Sequence, residues 1–353
     1  MGLGYIGLPT ASLLGTKGYR VHGVDSSQYI VDTIKQGKIH IVEPDLDILV
    51  KSAVQAGNLT AGLEPIKADI FILAVPTPFK KDHVPDLSYV EAATEEIAPY
   101  VEPGNLVILE STSPVGTTED VVARILSERG HDIEKEVFVA HCPERVLPGR
   151  ILVELVQNDR IVGGINDAST DKAVEFYHSF VRGEVLATDS RTAEMAKLTE
   201  NSYRDVNIAF ANELSMICDR EGINIWELIA LANRHPRVDI LKPGPGVGGH
   251  CIAVDPWFIV SRADGMARLI RTAREVNDAK PFWIIDKVKR SADKFKNPVI
   301  GCLGLAFKAD VDDLRESPAI DIVRQLVQDN VGEILVSEPN INESDEFELK
   351  PCD

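Results

Sequence analysis

Short runs of apolar and β-branched residues alternate with helix-period stretches through the first third of the chain. The runs at 19–24, 70–75, 106–109 and 137–140 read as buried parallel strands, because a strand covered on both faces needs no polar alternation. Each ends in a turn that is polar or carries Pro or Gly, the edge at which an open α/β sheet holds its ligand. Further strands near 160–162 and 184–186 complete this doubly wound sheet. From Thr192 the texture changes. Residues 193–221, 226–233 and 267–290 have helical periodicity with few strand signals between them, a segment suited to a dimerisation spine. Strand pattern returns at 299–305, followed by a helix at 319–328 and a strand at 333–336. The predicted class is α/β in three parts: a doubly wound domain over 1–188, a helical central domain over 189–296, and a partial C-terminal α/β domain over 297–353.

The first domain opens on Gly2-Leu3-Gly4-Tyr5-Ile6-Gly7, a G-x-G-x-x-G loop. Its first glycine permits a tight turn, the second lets the backbone approach a pyrophosphate, and the third lets helix and strand pack closely. The helix that follows offers its N-terminal N–H groups to phosphate. Glycines also cluster in turns for backbone reasons alone, so the loop needs support. Asp25 supplies it. At the end of the next strand, about 20 residues on, its carboxylate can accept from a ribose 2′-OH and repel a 2′-phosphate. The turns Pro76-Thr77-Pro78 and Ser111-Thr112-Ser113-Pro114 fit the lining of the same crevice. The reading is a Rossmann-like NAD-binding domain. A strand ordinarily leads into such a loop, and only Met1 precedes Gly2, so the first strand is missing from the sequence as written. Either the start is misassigned, or the chain is a fragment, or the domain lacks its core strand. The last is the least physical of the three, because two neighbouring strands would lose their ladder partners. The C-terminal unit likewise stops short of a closed sheet, and the chain as written is expected to turn over poorly.

Composition narrows the function. The 353 residues carry 37 basic and 55 acidic side chains, a net charge of -18, which argues against a nucleic-acid partner. An anionic small ligand needs only a locally basic pocket. A hydrophobic share of 44% without a bilayer-length apolar run suggests a soluble protein and no membrane partner. With a ligand loop starting at residue 2, a signal peptide is not expected, and the cytoplasm is the predicted compartment. Cys142, Cys218, Cys251, Cys302 and Cys352 are widely spread without a Cys-x-x-Cys pair, so neither a disulfide framework nor a metal site is predicted. The acidic stretch at 343–348 reads as a solvated tail.

One thiol stands out by its surroundings. Pro243-Gly244-Pro245-Gly246-Val247-Gly248-Gly249-His250-Cys251 is too glycine-rich for helix or strand and brings backbone close to something. Residues 252–258 read as the start of a helix with Cys251 near its N-terminus, where partial positive charge favours thiolate. Asp255 falls one turn along on the same face. A thiol and a carboxylate beside a nicotinamide suit aldehyde capture as a thiohemiacetal, oxidation to a thioester and hydrolysis. On these residues alone, an inert cysteine beside a turn accounts for the pattern equally well. Within 193–204, Lys197, Asn201 and Arg204 share one helix face and could present two cations and an amide to an oxyanion or phosphate. A solvated charge stripe is the commoner meaning of such a face.

Taken together, these motifs resemble the UDP-glucose/GDP-mannose dehydrogenase family over nearly the whole chain, from Gly2 to about Pro339. The specific stretches are 41–45 (Ile-Val-Glu-Pro-Asp), 74–79 (Ala-Val-Pro-Thr-Pro-Phe), 142–149 (Cys-Pro-Glu-Arg-Val-Leu-Pro-Gly), 193–201, 233–237 (Asn-Arg-His-Pro-Arg), 246–258, 304–308 (Gly-Leu-Ala-Phe-Lys) and 313–318 (Asp-Leu-Arg-Glu-Ser-Pro). The resemblance implies that Cys251 is the nucleophile and that Lys197 is an acid/base which, with Asn201, stabilises an oxyanion. It implies that Asp255 and Glu144 serve proton transfer or water activation and that Thr112 orients a water. Gly2, Gly4, Tyr5, Ile6, Gly7, Asp25, Thr77, Thr118 and Arg315 fall on NAD contacts. Arg145, Val146, Lys197, Asn201, Arg204, His235, Arg237, Gly248, Phe307 and Lys308 fall on contacts to the UDP-sugar. A homodimer is also implied, some substrate contacts crossing its interface. The sequences around Cys251 and Arg145 favour the branch of the family acting on UDP-N-acetyl-D-mannosamine, with UDP-N-acetylglucosamine the nearest rival and UDP-glucose behind it. A two-electron hydroxyacid dehydrogenase without a thiol, and a silent NAD-binding module, are the readings to be separated from this one.

Overall fold

The computed structural model describes the chain apart from Pro148, His250, Asn342, Glu343, Asp345, residues 309–313 and 352–353, and the side chain of Asp82. Expectations that fall on Pro148, His250, Asp313 and Cys352 lie outside the described residues. The chain forms two compact units, Met1–Leu198 and Thr199–Asp353.

In the first unit the order is α1 (Gly7–Thr16), β1 (Val21–Val24), α2 (Gln28–Lys35), α3 (Leu46–Gln55), β2 (Leu59–Gly62), β3 (Ile70–Leu73), α4 (Ser88–Ile97), β4 (Leu106–Leu109), α5 (Arg124–Glu128), β5 (Phe138–His141), α6 (Ile151–Gln157), β6 (Arg160–Gly164), α7 (Asp167–His178) and β7 (Val185–Asp189). A π-helical turn, Thr118–Ala123, leads into α5. The strands lie in the order β3-β4-β5-β6-β7, with β1 and β2 paired separately. The strands read as parallel at 70–75, 106–109 and 137–140 do pair in parallel, and the one antiparallel pair of these sheets is β5–β6. Between β1 and β3 the backbone of Met1 and Gly2 bridges. The Met1 amino group donates to the Ile72 carbonyl (2.8 Å), Ala74 N–H donates to the Met1 carbonyl (2.9 Å), and Gly2 N–H donates to Val24 (2.8 Å).

Strand β4 shows why its apolar run has no polar alternation. Val107 and Leu109 pack with α4 and α5, while Leu106 and Ile108 pack on the opposite face with α1, α6 and α7. Each such side chain contributes ~2 kcal/mol of burial. A third apolar cluster joins α1, α2, α3 and β2.

Helix α8 (Ser190–Glu221) begins in the first unit and continues into the second. Then come α9 (Ile225–Ala232), α10 (Asp255–Arg262), α11 (Arg268–Ala292), β8 (Val299–Leu303), α12 (Pro318–Gln328) and β9 (Glu333–Ser337). Strands β8 and β9 pair in parallel and pack on α12 through Val323 and Val336. Among the described residues no helix is long and apolar enough to cross a membrane.

Candidate active site

The glycine loop closes as its spacing requires. A Cβ at Gly7 would lie 1.8 Å from the Gly2 carbonyl oxygen, and one at Gly2 (φ +85°) 2.6 Å from that of Ala74. At Gly4 a Cβ would meet nothing within 4 Å. The first and third glycines therefore close the turn, and the second faces open space that a pyrophosphate can enter. Helix α1 has no side-chain cap at its N-terminus, which suits anion binding there. Asp25 holds this loop in place. Its Oδ2 accepts from Leu3 N–H and its Oδ1 from Ser27 N–H, both at 2.9 Å. Each carboxylate oxygen has a second lone-pair direction, so contact with a ribose hydroxyl is compatible with both bonds. These residues fit NAD.

Two crevice turns are joined to each other. The Thr77 hydroxyl donates to the Thr112 carbonyl at 2.5 Å, and Ser111 Oγ donates to Val75 at 2.6 Å. Thr118 is fully buried, and its hydroxyl and N–H both donate to Glu194, at 2.6 and 2.7 Å. The part of Thr118 that sequence assigns to NAD is thus committed to the base of α8, a role for Glu194 that its place in a helical pattern did not reveal.

Glu144 is not an open carboxylate. It is buried, and Oε2 accepts from Arg160 Nη1 at 2.7 Å while Oε1 accepts from Arg145 N–H at 2.6 Å. Burial works against the charge on Arg160, but the facing Glu144, together with Cys142, Glu110 and Tyr177, outweighs it and raises the guanidinium pKa. Next to this pair lies Glu110, which accepts from the Tyr177 hydroxyl at 2.7 Å. Burial first, and then the charge on Glu144, pushes its pKa up to about 7. Arg160 and Glu110 were missed in the sequence. A lone arginine opening an apolar strand was the available signal, since a buried guanidinium requires a carboxylate. Arg145 donates from Nη1 to the Asp159 carbonyl at 3.3 Å, and Val146 packs against the apolar layer containing α6 and α7.

In the second unit Cys251 is exposed. Among the other described cysteines, Cys142 and Cys218 are buried and Cys302 is half-buried. Burial pushes the Cys142 thiol up to about 12 and raises that of Cys302, which disfavours the thiolate at both. Residues 251–254 form turns, and α10 starts at Asp255, which corrects the expected start at 252. Pro256 explains the shift, because proline is tolerated in the first turn of a helix but not beyond it. The Cys251 carbonyl accepts from Val254 and Asp255 N–H, at 3.0 and 2.8 Å. Asp255 is buried, and its Oδ2 accepts from Asn201 Nδ2 at 2.5 Å. The amide and the carboxylate that sequence assigned separate roles are therefore hydrogen-bonded to each other. Lys197, half-buried, lies one helical turn before Asn201, and Arg204 is exposed on the same helix.

The loop before the thiol packs on the C-terminal segment. A Cβ at Gly248 would lie 2.5 Å from the Glu316 carbonyl oxygen and 2.6 Å from Phe307 Cβ, and Gly249 N–H donates to the Arg315 carbonyl at 3.1 Å. Gly248 is thus brought together with Phe307 and Arg315, about sixty residues further along the chain. Lys308 is exposed, as are His235 and Arg237, where Arg237 N–H donates to His235 Nδ1 at 3.3 Å.

Family models match along the chain: the NAD binding domain of the UDP-glucose/GDP-mannose dehydrogenase family over residues 1–181, its central domain over 191–279, and its UDP binding domain over 301–352. The chain is 62% identical over 348 residues to the NDP-N-acetyl-D-galactosaminuronic acid dehydrogenase of Ralstonia solanacearum, covering 97% of this chain and 82% of the relative. It is 58% identical over 359 residues to the UDP-N-acetyl-D-mannosamine dehydrogenase of Escherichia coli K12, covering 97% and 85%. Its structure is similar to that of the UDP-N-acetyl-mannosamine dehydrogenase Cap5O from S. aureus, with a TM-score of 0.93 and 44% identity over 99% of this chain and 84% of the other. The chain belongs to the UDP-glucose/GDP-mannose dehydrogenase family. Its class is that of the NAD-dependent dehydrogenases of nucleotide-linked sugars.

Proposed function

We propose that this enzyme oxidises the C6 hydroxyl of UDP-N-acetyl-D-mannosamine to the carboxylate, giving UDP-N-acetyl-D-mannosaminuronate with Cys251 as nucleophile. The observation that carries this reading is Cys251, the exposed one among the described cysteines, directly ahead of the Asn201–Asp255 pair. NAD held by the glycine loop and Asp25 would supply the hydride acceptor for both oxidations. Lys197 takes the proton from the C6 hydroxyl, and Asn201 donates to the oxygen as charge develops. The Cys251 sulfur adds to the aldehyde carbon, and oxidation of the thiohemiacetal leaves a thioester. Water held by Thr112 and deprotonated by Asp255 or Glu144 attacks that thioester, releasing the acid and the thiol. The Arg160 partnership favours Asp255 for this step, because Glu144 already neutralises a buried cation.

In this assignment residues 1–188 bind NAD through the glycine loop, Asp25 and Thr77, with Arg315 of the C-terminal part added, while Thr118 supports the crevice through its bonds to Glu194. Residues 189–296 form the central domain, and 297–353 contact UDP through Phe307 and Lys308. Arg145, Val146, Arg204, His235, Arg237 and Gly248 complete the sugar-nucleotide contacts, giving a locally basic site on an acidic cytoplasmic protein. The homodimer assigned to the family member uses α8, where Tyr203, Phe210 and Ile217 are exposed at seven-residue spacing and form an apolar stripe. A second substrate, the UDP-linked N-acetylgalactosamine, which differs from the mannosamine at C2 and C4, is supported by the name of the 62%-identical relative. Both names share a 2-acetamido sugar.

The test is the number of NADH formed per UDP-sugar consumed, measured with UDP-N-acetylmannosamine, UDP-N-acetylgalactosamine, UDP-N-acetylglucosamine and UDP-glucose. Two NADH support the four-electron reaction, one a hydroxy-sugar oxidation, and none with any donor a silent module. Release of free uronate by Cys251→Ala at the normal rate would sink the thioester route.

A further inference from the structure

Helix α8 reaches the thiol segment twice. Beyond Cys251, Asn201 holds Asp255, as described above. Ahead of Cys251, Asn212 accepts through Oδ1 from Gly244 N–H at 2.8 Å. Asn212 follows Asn201 by eleven residues, close to three helical turns, so the two amides lie on one face of α8. The Gly244 N–H is the backbone donor available at that point, since Pro243 and Pro245 on either side have none.

The orientation of the Asn212 amide is dictated from the far end of a buried chain of hydrogen bonds. Arg274 can only donate, and its Nη1 donates to Asp205 Oδ1 at 2.7 Å. Asn277 Nδ2 donates to the same oxygen at 2.8 Å and to the Asp205 carbonyl, which can only accept, at 3.1 Å. That leaves the Asn277 oxygen to accept from Asn212 Nδ2 at 2.8 Å, and hence leaves the Asn212 oxygen to face Gly244. Asp205, Asn212, Asn277 and Arg274 are each no more than 2% exposed, so water does not compete for these bonds.

We propose that Asn212 is a positioning residue for Cys251: it fixes the entry of the glycine loop to α8, so that the thiol is delivered to the same helix face that presents Asn201. This rests on the reading of Cys251 as the nucleophile. The first oxidation needs no thiol and the second does, so loss of Asn212 impairs the second selectively. A residue that only supported folding would depress both steps together.

The experiment measures NADH per UDP-N-acetylmannosamine consumed, with an aminooxy reagent to capture released aldehyde, for wild type, Asn212→Ala and Cys251→Ala. At a temperature where all are folded, Asn212→Ala is expected to lower the ratio from two towards one and release aldehyde, with the second oxidation slowed ~10-fold or more. A parallel readout is hydrogen exchange of the peptide spanning Gly244, expected to quicken in Asn212→Ala irrespective of turnover. A ratio of two with both steps slowed equally, or unchanged exchange, overturns the proposal. Should Asn212→Ala fail to fold, Asn277→Ala releases the Asn212 amide without touching the loop, and a ratio of two there overturns it as well. If Cys251→Ala itself keeps a ratio of two, the nucleophile assignment fails, a result separate from any effect of Asn212.

Discussion

Replacing Gly248 with alanine adds one methyl group where the thiol loop meets the C-terminal segment. That Cβ would stand 2.5 Å from the Glu316 carbonyl oxygen, 2.6 Å from Phe307 Cβ and 2.9 Å from Pro318 Cδ. Each neighbour would have to retreat by roughly an ångström to reach ordinary van der Waals distance. Two of them are poorly placed to do so. Glu316 is already held at φ +50°, and Pro318 opens α12. The loop cannot recede freely either, because Gly249 is bonded to Arg315 and Gly244 to Asn212. Overpacking of this kind costs about 1–3 kcal/mol, which for a unit of this size lowers the melting temperature by roughly 2–4 °C per kcal/mol. The assay pairs thermal unfolding with steady-state kinetics. The expected result is a fall of roughly 5 °C, a higher KM for the UDP-sugar as Phe307 is displaced, and a lower kcat as Cys251 moves. Unchanged melting together with unchanged kinetics would refute the reasoning, because it would mean that the loop and the 307–318 segment do not pack as described.

Glu110 has a pKa of about 7 when folded against an ordinary 4.5, so its contribution is complete below about pH 4.5 and is lost as pH rises through 7. Glu110→Gln keeps an acceptor for Tyr177 and should flatten the fall in stability between those values; denaturant curves at pH 5, 6, 7 and 8 that stay parallel to wild type would count against it. His141, fully buried, is lowered by burial to about 3 from 6.5, so its share of stability is present above pH 6.5 and lost as pH falls towards 3. His141→Phe should therefore blunt acid unfolding across that window, measured by circular dichroism. Arg160→Met strands Glu144 in the interior and should cost about 3–5 kcal/mol. The double variant with Glu144→Gln should recover much of it in a double-mutant cycle, and strict additivity would refute the pairing.

The strands and long helices were legible in the sequence because burial dictates their composition. Residues 106–109 are apolar throughout since both faces of β4 are covered, and helical periodicity runs through α8 and α11. The short β2, Leu-Thr-Ala-Gly, was not legible, for four residues with half-exposed alternation carry little signal. The reversal at β6 was not either, because strand direction is set by how the chain is routed rather than by side-chain pattern. The glycine loop and the glycine-flanked thiol could be read from residue types alone: they demand close backbone approach, which few sequences other than glycine runs permit.

What the sequence by itself determined is the inventory: a dinucleotide loop closed by Gly2 and Gly7, an acid at Asp25, and a thiol at Cys251 with a carboxylate four residues on. Tertiary structure alone decided the pairings. It joined Glu144 to Arg160, Thr118 to Glu194, Asn201 to Asp255, and Gly244 to Asn212. The reason is physical. Glycine geometry and apolar periodicity are local and leave their mark in neighbouring residues. A buried polar group can instead be satisfied by any partner the fold brings within about 3 Å, and nothing local says which.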